Sequence, residues 1–300
     1  MQIKKVVPSG YCKGVVNAIN LAIKARKDNP DKDIYVLGMI VHNRYLVKAL
    51  EKINIQTLHG HDREALIKSI DKGIIIFSAH GIADKYKKLA LDCGLEYIDA
   101  SCSDVISTQN KIKEHLAKNE QIVYIGKKNH PEADAVLAIS DDIIFITKLE
   151  DIETIKSERQ IYVTNQTTMS LFEMIKFFEK IKALFPKAII EQEICNATTV
   201  RQNAIIKLDN CDLLFVVGDP ASNNTNKLKE IAKEKGINNV IAIETVKDIK
   251  EADLFGVNNI FVTAGASTPG YLVNQVIQAL KNYDLTGQLI KPDIEVEKII

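Results

Sequence analysis

The feature that most constrains this chain is a repeat. Short β-branched runs alternate with stretches of helical period along most of its length, and the pattern restarts at Cys12, Cys102 and Cys195, which stand 90 and 93 residues apart. Such alternation marks βαβ units and buried parallel sheets. The runs IYVLGMI, GIIIFSA, QIVYIG, RQIYVT, CDLLFVV and NIFVTAG read as strands, and no proline interrupts them. Helices are expected from Asn43 to about Lys52 and from Ala83 to Cys93. Each of the three cysteines opens a further helical segment, in CKGVVNAINLAIKA, CSDVISTQNKIKEHL and CNATTVRQNAIIKL. The period predicts three similar α/β domains with small parallel sheets around a pseudo-threefold axis, over residues 1–101, 102–194 and 195–282. The tail 283–300 falls outside the repeat and is expected only to pack.

Each cysteine-led helix is followed by a strand, and each strand by a polar cluster: VHN with His42, NHPE with His130 and Glu132, SNN with Ser222, Asn223 and Asn224. Counted from their cysteines, the lead residues fall at 30 (His42), 28 (His130) and 27 (Ser222). A second strand in each third ends in SAHG with His80, NQTT with Thr167 and Thr168, or AGAS with Ser267. Ligands of open parallel sheets gather beyond the carboxyl ends of the strands, so six polar loops and three cysteines are expected to face common ground around a central metal site.

Composition excludes several classes. The 300 residues allow two or three domains, and 39 basic residues balance 39 acidic ones. No block of like charge stands out, which argues against a nucleic acid or an anionic membrane as partner. No apolar run approaches the roughly 18 residues of a membrane span, and no leader-like stretch follows Lys4 and Lys5, so a cytoplasmic protein is expected. Five cysteines without a CxxC pair do not form a disulfide framework.

A helix N-terminus favours the thiolate, and three thiolates suit a soft metal. Iron-sulfur clusters usually take four thiolates. Three would leave one iron open to a substrate oxygen, the arrangement of a catalytic metal site. A three-cysteine zinc site that activates water, and a non-catalytic sensor, remain as alternatives. Cys93 and Cys211 lack the repeat position and read as core residues. His59 and His61 read as a solvated loop, and His115 as an exposed helix residue. His42, His80 and His130 sit where donors to an anionic group are needed. Thr167, Thr168, Ser222, Asn223, Asn224 and Ser267 add neutral donors that suit a small phosphate or diphosphate. Glu132, the one carboxylate in these clusters, is a candidate proton carrier as well as a first-turn helix charge.

The motifs GYCKGV, VHN, SAHG, DASC, HPEA, NQTT, ICNATTVRQ, SNNTN and AGASTP, in this order from Cys12 to Pro269, resemble the 4-hydroxy-3-methylbut-2-enyl diphosphate reductases of the non-mevalonate isoprenoid pathway. The resemblance implies a trefoil of three α/β domains around a 4Fe-4S cluster with three cysteine ligands, here Cys12, Cys102 and Cys195, and one open iron. It implies reductive loss of the allylic hydroxyl as water, giving isopentenyl and dimethylallyl diphosphates. It assigns diphosphate binding to His42, His80, His130, Ser222, Asn223, Asn224 and Ser267, and proton delivery to Glu132 with Thr167 alongside; Thr167 and Thr168 are further binding candidates and His130 a further catalytic one. No GxGxxG fingerprint is present, so an external electron donor such as a ferredoxin or flavodoxin is expected. The chain departs from the family pattern at Asn223, which can still donate a hydrogen bond, and at Lys13, Ser103 and Gly270, none of which is a ligand.

Overall fold

The computed structural model describes residues 1–60 and 62–300, so His61 of the HxH pair lies outside the described residues. Among the described residues twelve short strands occur in chain order: β1 (Gln2–Lys5), β2 (Ile34–Leu37), β3 (Ile55–Leu58), β4 (Ile74–Phe77), β5 (Glu96–Asp99), β6 (Gln121–Ile125), β7 (Ile144–Ile146), β8 (Ile161–Asn165), β9 (Ile189–Ile190), β10 (Leu213–Val217), β11 (Val240–Ile243) and β12 (Asn259–Ala264). Between them lie α1 (Lys13–Asp28), α2 (Arg44–Lys52), α3 (Arg63–Lys68), α4 (Asp84–Asp92), α5 (Ser103–Ala117), α6 (Pro131–Leu137), α7 (Leu171–Leu184), α8 (Asn196–Ile206), α9 (Asn223–Glu234) and α10 (Gly270–Thr286).

By contacts the chain divides into two compact units. One comprises Met1–Val16, Val41–Ile53 and Asn196–Ile300 and holds a four-stranded sheet of order β1-β12-β10-β11. The other comprises Asn17–Ile40 and Asn54–Cys195 and holds two such sheets, β3-β2-β4-β5 and β7-β6-β8-β9. All pairings are parallel. Three small parallel sheets with interleaved helices therefore make up the fold. The first strand does not join the sheet that follows it in sequence. Gln2–Lys5 instead pairs with Asn259–Val262, giving the last sheet its edge.

The central strands are apolar and buried because helices cover both faces of a parallel sheet. Every residue of β4, β6, β8 and β10 is buried. Edge strands are half exposed, as in QIKK of β1 and EYID of β5. Phe77 is fully buried with Leu37, Ile75, Ile67 and Leu95, and burying such a ring contributes about 1.5–3 kcal/mol.

Each sheet reverses its strand order between its two central strands: β2 and β4, β6 and β8, β10 and β12. Such a reversal is the topological switch point at which α/β sheets bind ligands. Local sequence builds the switch points. Asn43 caps α2 by accepting from Tyr45 N at 2.9 Å and Leu46 N at 3.1 Å, which starts the helix directly after His42. Between β10 and β12, the side chain of Thr225 on α9 lies so close that a Cβ on Gly218 or Gly265 would meet it at 2.4 or 2.1 Å, so only glycine fits there.

Candidate active site

The six polar clusters all follow central strands. VHN and SAHG come after β2 and β4, NHPE and NQTT after β6 and β8, SNN and AGAS after β10 and β12. The three cysteines follow edge strands, Cys12 after β1, Cys102 after β5 and Cys195 after β9, and each stands immediately before a helix. One hydrogen bond recurs three times. The cysteine N–H donates to a carbonyl of the polar cluster on the neighbouring central strand: Cys12 to Ala266, Cys102 to Ala79, Cys195 to Thr167, at 3.0 Å in each case. None of the three cysteines is in a disulfide, and all three are only partly buried. Among the described residues no group of three or more His, Cys, Asp or Glu side chains is assembled as a metal site.

In the unit of Asn17–Ile40 and Asn54–Cys195, the switch point between β6 and β8 holds Glu132. His130 caps α6, its Nδ1 accepting from Glu132 N at 3.2 Å, and Pro131 occupies the first turn. Glu132 is not the partly exposed first-turn charge that its position suggests, because its side chain turns inward and is only 2 % exposed. Its two carboxylate oxygens accept from Thr167, one from N at 2.8 Å and the other from Oγ1 at 3.0 Å. Burial pushes the carboxyl up to about 7, with a smaller push from the negative charge of Asp104, while the two Thr167 bonds act the other way. A carboxyl at that value exchanges a proton near neutral pH, as a general acid must. Next to it, the His130 and His80 rings meet edge to face at 5.6 Å, and Ser78 Oγ lies 3.3 Å from His80 Nδ1.

Sequence reasoning missed two residues here. Gln166, fully buried, holds the NQTT loop in place: its Oε1 accepts from Lys127 N at 2.9 Å and its Nε2 donates to Thr168 Oγ1 at 3.0 Å. Tyr124 on β6 is completely buried with an unpartnered hydroxyl, and burial together with the nearby Glu132 charge raises its pKa well above that of a free tyrosine. The Tyr124 side chain lies in a run that reads as plain core, so only the three-dimensional fold brings it near Glu132.

In the unit of Met1–Val16, Val41–Ile53 and Asn196–Ile300, the switch point between β10 and β12 gathers the neutral donors. Ser267 Oγ donates to His42 O at 3.1 Å and lies 3.4 Å from Ser222 Oγ, and Asn43 Nδ2 donates to Ser267 O at 2.9 Å. Ser222 caps α9, whose first turn carries no acid, and Ser222, Asn223 and Asn224 are all buried. Asn224 Oδ1 takes a 3.5 Å bond from Thr198, while its Nδ2 is buried without a hydrogen-bond partner. An orphaned buried donor costs about 1–3 kcal/mol, which a ligand oxygen would recover. Asp219, the carboxylate in the same loop, is occupied by the backbone N–H groups of Ala221 at 2.8 Å and Arg44 at 3.3 Å. The start of α9, with no acid in its first turn, favours an anionic group.

Of the remaining candidates, Cys93 sits at the end of α4 against a core cluster, and burial pushes the Cys211 thiol up to about 11. Neither lies in a repeated loop. His59 is exposed. His115 is not: it stacks on Tyr162 at 3.6 Å between ring centres and holds Glu120 at 2.6 Å, because the amphipathic face of α5 turns it toward the sheet. The flanking charges of Lys111, Lys113 and Glu114 hide that face in the sequence. The segment after α10, which continues to Thr286, packs back on the same unit: Tyr11 Oη donates to Ile299 O at 3.3 Å, and Ile299 is buried.

Comparison with known proteins places these loops in context. The model of the LytB protein family matches residues 3–281. A protein of an Exiguobacterium species, named 4-hydroxy-3-methylbut-2-enyl diphosphate reductase, is 42% identical over 291 residues, covering 95% of this chain and 92% of that protein. A protein of the same name from Bacillus thuringiensis is 43% identical over 288 residues, covering 95% of this chain and 91% of its own. The solved structure of the E-1-hydroxy-2-methyl-but-2-enyl-4-diphosphate reductase from Plasmodium falciparum aligns with a TM-score of 0.88 at 30% identity, covering 94% of this chain and 88% of that one.

Proposed function

The chain belongs to the LytB family, and from that membership we propose that it is a 4-hydroxy-3-methylbut-2-enyl diphosphate reductase, acting in the cytoplasm as the terminal enzyme of the non-mevalonate pathway. Substrate, two electrons and two protons become isopentenyl or dimethylallyl diphosphate and one water. One proton leaves with the hydroxyl and the other ends on carbon.

The observation that carries this reading is the threefold recurrence of one loop, a cysteine outside any disulfide at a helix start, bonded through its N–H to a switch-point carbonyl at 3.0 Å. Three thiols presented alike, with no fourth cysteine in such a loop, fit in kind the donor set of a 4Fe-4S cluster with one open iron. Cys12, Cys102 and Cys195 would hold it. When bound, the cluster supplies the electrons and the Lewis acidity that loosen the allylic C–O bond.

The protein's own groups do the rest. Asn224 Nδ2, Ser222, Asn223 and Ser267, with His42, His80, His130 and Thr168, bind the diphosphate and fix its orientation through neutral and imidazole donors. Glu132 carries the proton, and Thr167 holds both carboxylate oxygens so that the acid keeps one orientation. Burial keeps water out of competition for that proton. Electrons come from an external carrier such as a ferredoxin or flavodoxin. No helix among the described residues is long and apolar enough to cross a membrane.

The test is conversion under anaerobic conditions. Protein reconstituted with iron and sulfide and given a chemical reductant should turn 4-hydroxy-3-methylbut-2-enyl diphosphate into the two isomeric products. Hydrolysis of the diphosphate, or no change, would contradict the reading.

A further inference from the structure

A second repeat runs behind the cysteines. The residue two places before Cys195 is Glu193, and its carboxylate lies 3.3 Å from Oγ1 of Thr108, six places after Cys102 on α5, a hydroxyl whose one proton is shared with the Asp104 carbonyl at 3.1 Å. The residue two places before Cys12 is Gly10, and its carbonyl accepts at 2.7 Å from Nη2 of Arg201, six places after Cys195 on α8. The same station on a cysteine-led helix thus meets the same station of the next cysteine loop, in both units. At the corresponding stations after Cys12 and before Cys102 stand Ala18 and Ala100, both fully buried and without side-chain polar groups.

The bonds are built to hold. Arg201 is only 4 % exposed, and its Nη1 is held by the Ala197 carbonyl of its own helix at 2.7 Å, which aims the other arm of the fork at Gly10. Gly10 has a left-handed φ of +90°, so the turn into Cys12 is one that other residues resist and that an external tie keeps in place. Thr108 is 1 % exposed, and Lys111, one turn further along α5, pairs with Glu193 and lies 3.0 Å from Glu191. Burying a guanidinium is costly unless its donors are used, so placing one behind a glycine carbonyl argues for a specific task.

We propose that Arg201 and the Thr108–Glu193 pair are positioning residues for the metal-binding cysteines: each ties the segment just before one cysteine to the helix that another cysteine opens, Arg201 through the Gly10 carbonyl and Thr108 through the Glu193 carboxylate. The ties fix where the Cys12 and Cys195 thiols stand before any metal arrives. The inference rests on the reading of Cys12, Cys102 and Cys195 as ligands.

Iron release separates this role from plain structural support. Wild-type chain, Arg201→Lys, Arg201→Gln and Thr108→Val are loaded with iron and sulfide anaerobically, and loss of the visible thiolate-to-iron absorption is followed after adding an iron chelator. Ile205→Ala on α8 and Ile112→Ala on α5 remove fully buried apolar side chains and serve as controls for loss of stability. Losing one charge-assisted bond from a loop changes its opening equilibrium by about tenfold or more. Arg201→Gln is therefore expected to release iron about tenfold faster than wild type or more, Arg201→Lys less so, since it keeps the charge but loses the fork, and Thr108→Val faster than wild type by a smaller factor, since its proton is shared with Asp104 and Lys111 still holds Glu193. The two controls should melt at lower temperature yet release iron at the wild-type rate. Wild-type release rates in the Arg201 and Thr108 variants would overturn the inference, as would release rates that simply follow Tm across all five variants. Should Arg201→Gln not fold, Arg201→Lys and Thr108→Val decide the matter. A wild-type chain that takes up no iron would refute the ligand assignment itself, and this inference with it.

Discussion

Glu132→Gln should gain stability relative to wild type as the pH rises, while losing its reductase activity. Burial lifts the Glu132 carboxyl from its usual 4.5 to about 7. Below pH 4.5 the carboxyl is neutral in both the folded and the unfolded chain, and ionisation adds no penalty. From 4.5 to 7 the unfolded chain releases its proton and the folded chain does not, so wild-type stability falls as pH rises and levels off once the folded carboxyl ionises. A rise of roughly two to three units at 1.36 kcal/mol per unit corresponds to about 3 kcal/mol. Glutamine matches the shape and never ionises, so the variant escapes this loss. Urea unfolding of the metal-free chains at pH 4 and pH 8 measures the effect, because the difference between the two proteins isolates one carboxyl. The variant's advantage should grow by about 3 kcal/mol between the two pH values, and a difference independent of pH would refute the buried, raised carboxyl. In single-turnover assays with pre-reduced protein, the variant should be about 100- to 10,000-fold slower than wild type. The wild-type rate should fall as pH rises past about 7.

Other substitutions probe the same frame. Thr167→Val removes the Oγ1 bond that favours the charged form of Glu132, so the alkaline limb of the pH–rate profile should move to higher pH, and an unmoved limb would mean that the bond is absent in solution. Ser267→Ala, His42→Ala and His80→Ala should weaken substrate binding by about ten- to a hundred-fold while the cluster absorption stays; equilibrium binding to loaded protein checks this, and unchanged affinity in all three would put the diphosphate elsewhere. Phe77→Ala should cost about 3–5 kcal/mol in chemical denaturation with the cysteine loops unaffected, since the ring is fully buried in the core of its sheet.

Half of each sheet was legible in the sequence, and the half is physically defined. The six runs that read as strands are the six central strands, where helices on both faces demand unbroken apolar residues. The edge strands escaped because one side meets solvent: QIKK, IQTL and EYID look like surface loops. The pairing of β1 with β12 joins residues more than 250 places apart, and nothing local to either strand announces it. The polar clusters were visible by their place after the central strands. Inward rotation of Glu132, the fork of Arg201 onto Gly10 and the support from Gln166 depend on side-chain direction, which the spacing of residues does not encode. His115 shows the opposite error, where charged neighbours disguised a half-buried face.

The ligand assignment is the claim on which the rest depends, and changing each cysteine to serine in turn tests it most directly. After anaerobic reconstitution, iron, sulfide and thiolate-to-iron absorption are measured on all five single variants, with far-UV circular dichroism as the check on folding. Cys12→Ser, Cys102→Ser and Cys195→Ser should each lose or weaken the absorption and the bound iron while staying folded, and Cys93→Ser and Cys211→Ser should match wild type. Equal loss from all five, or full iron content in any of the first three, would contradict a cluster held by the three repeated loops.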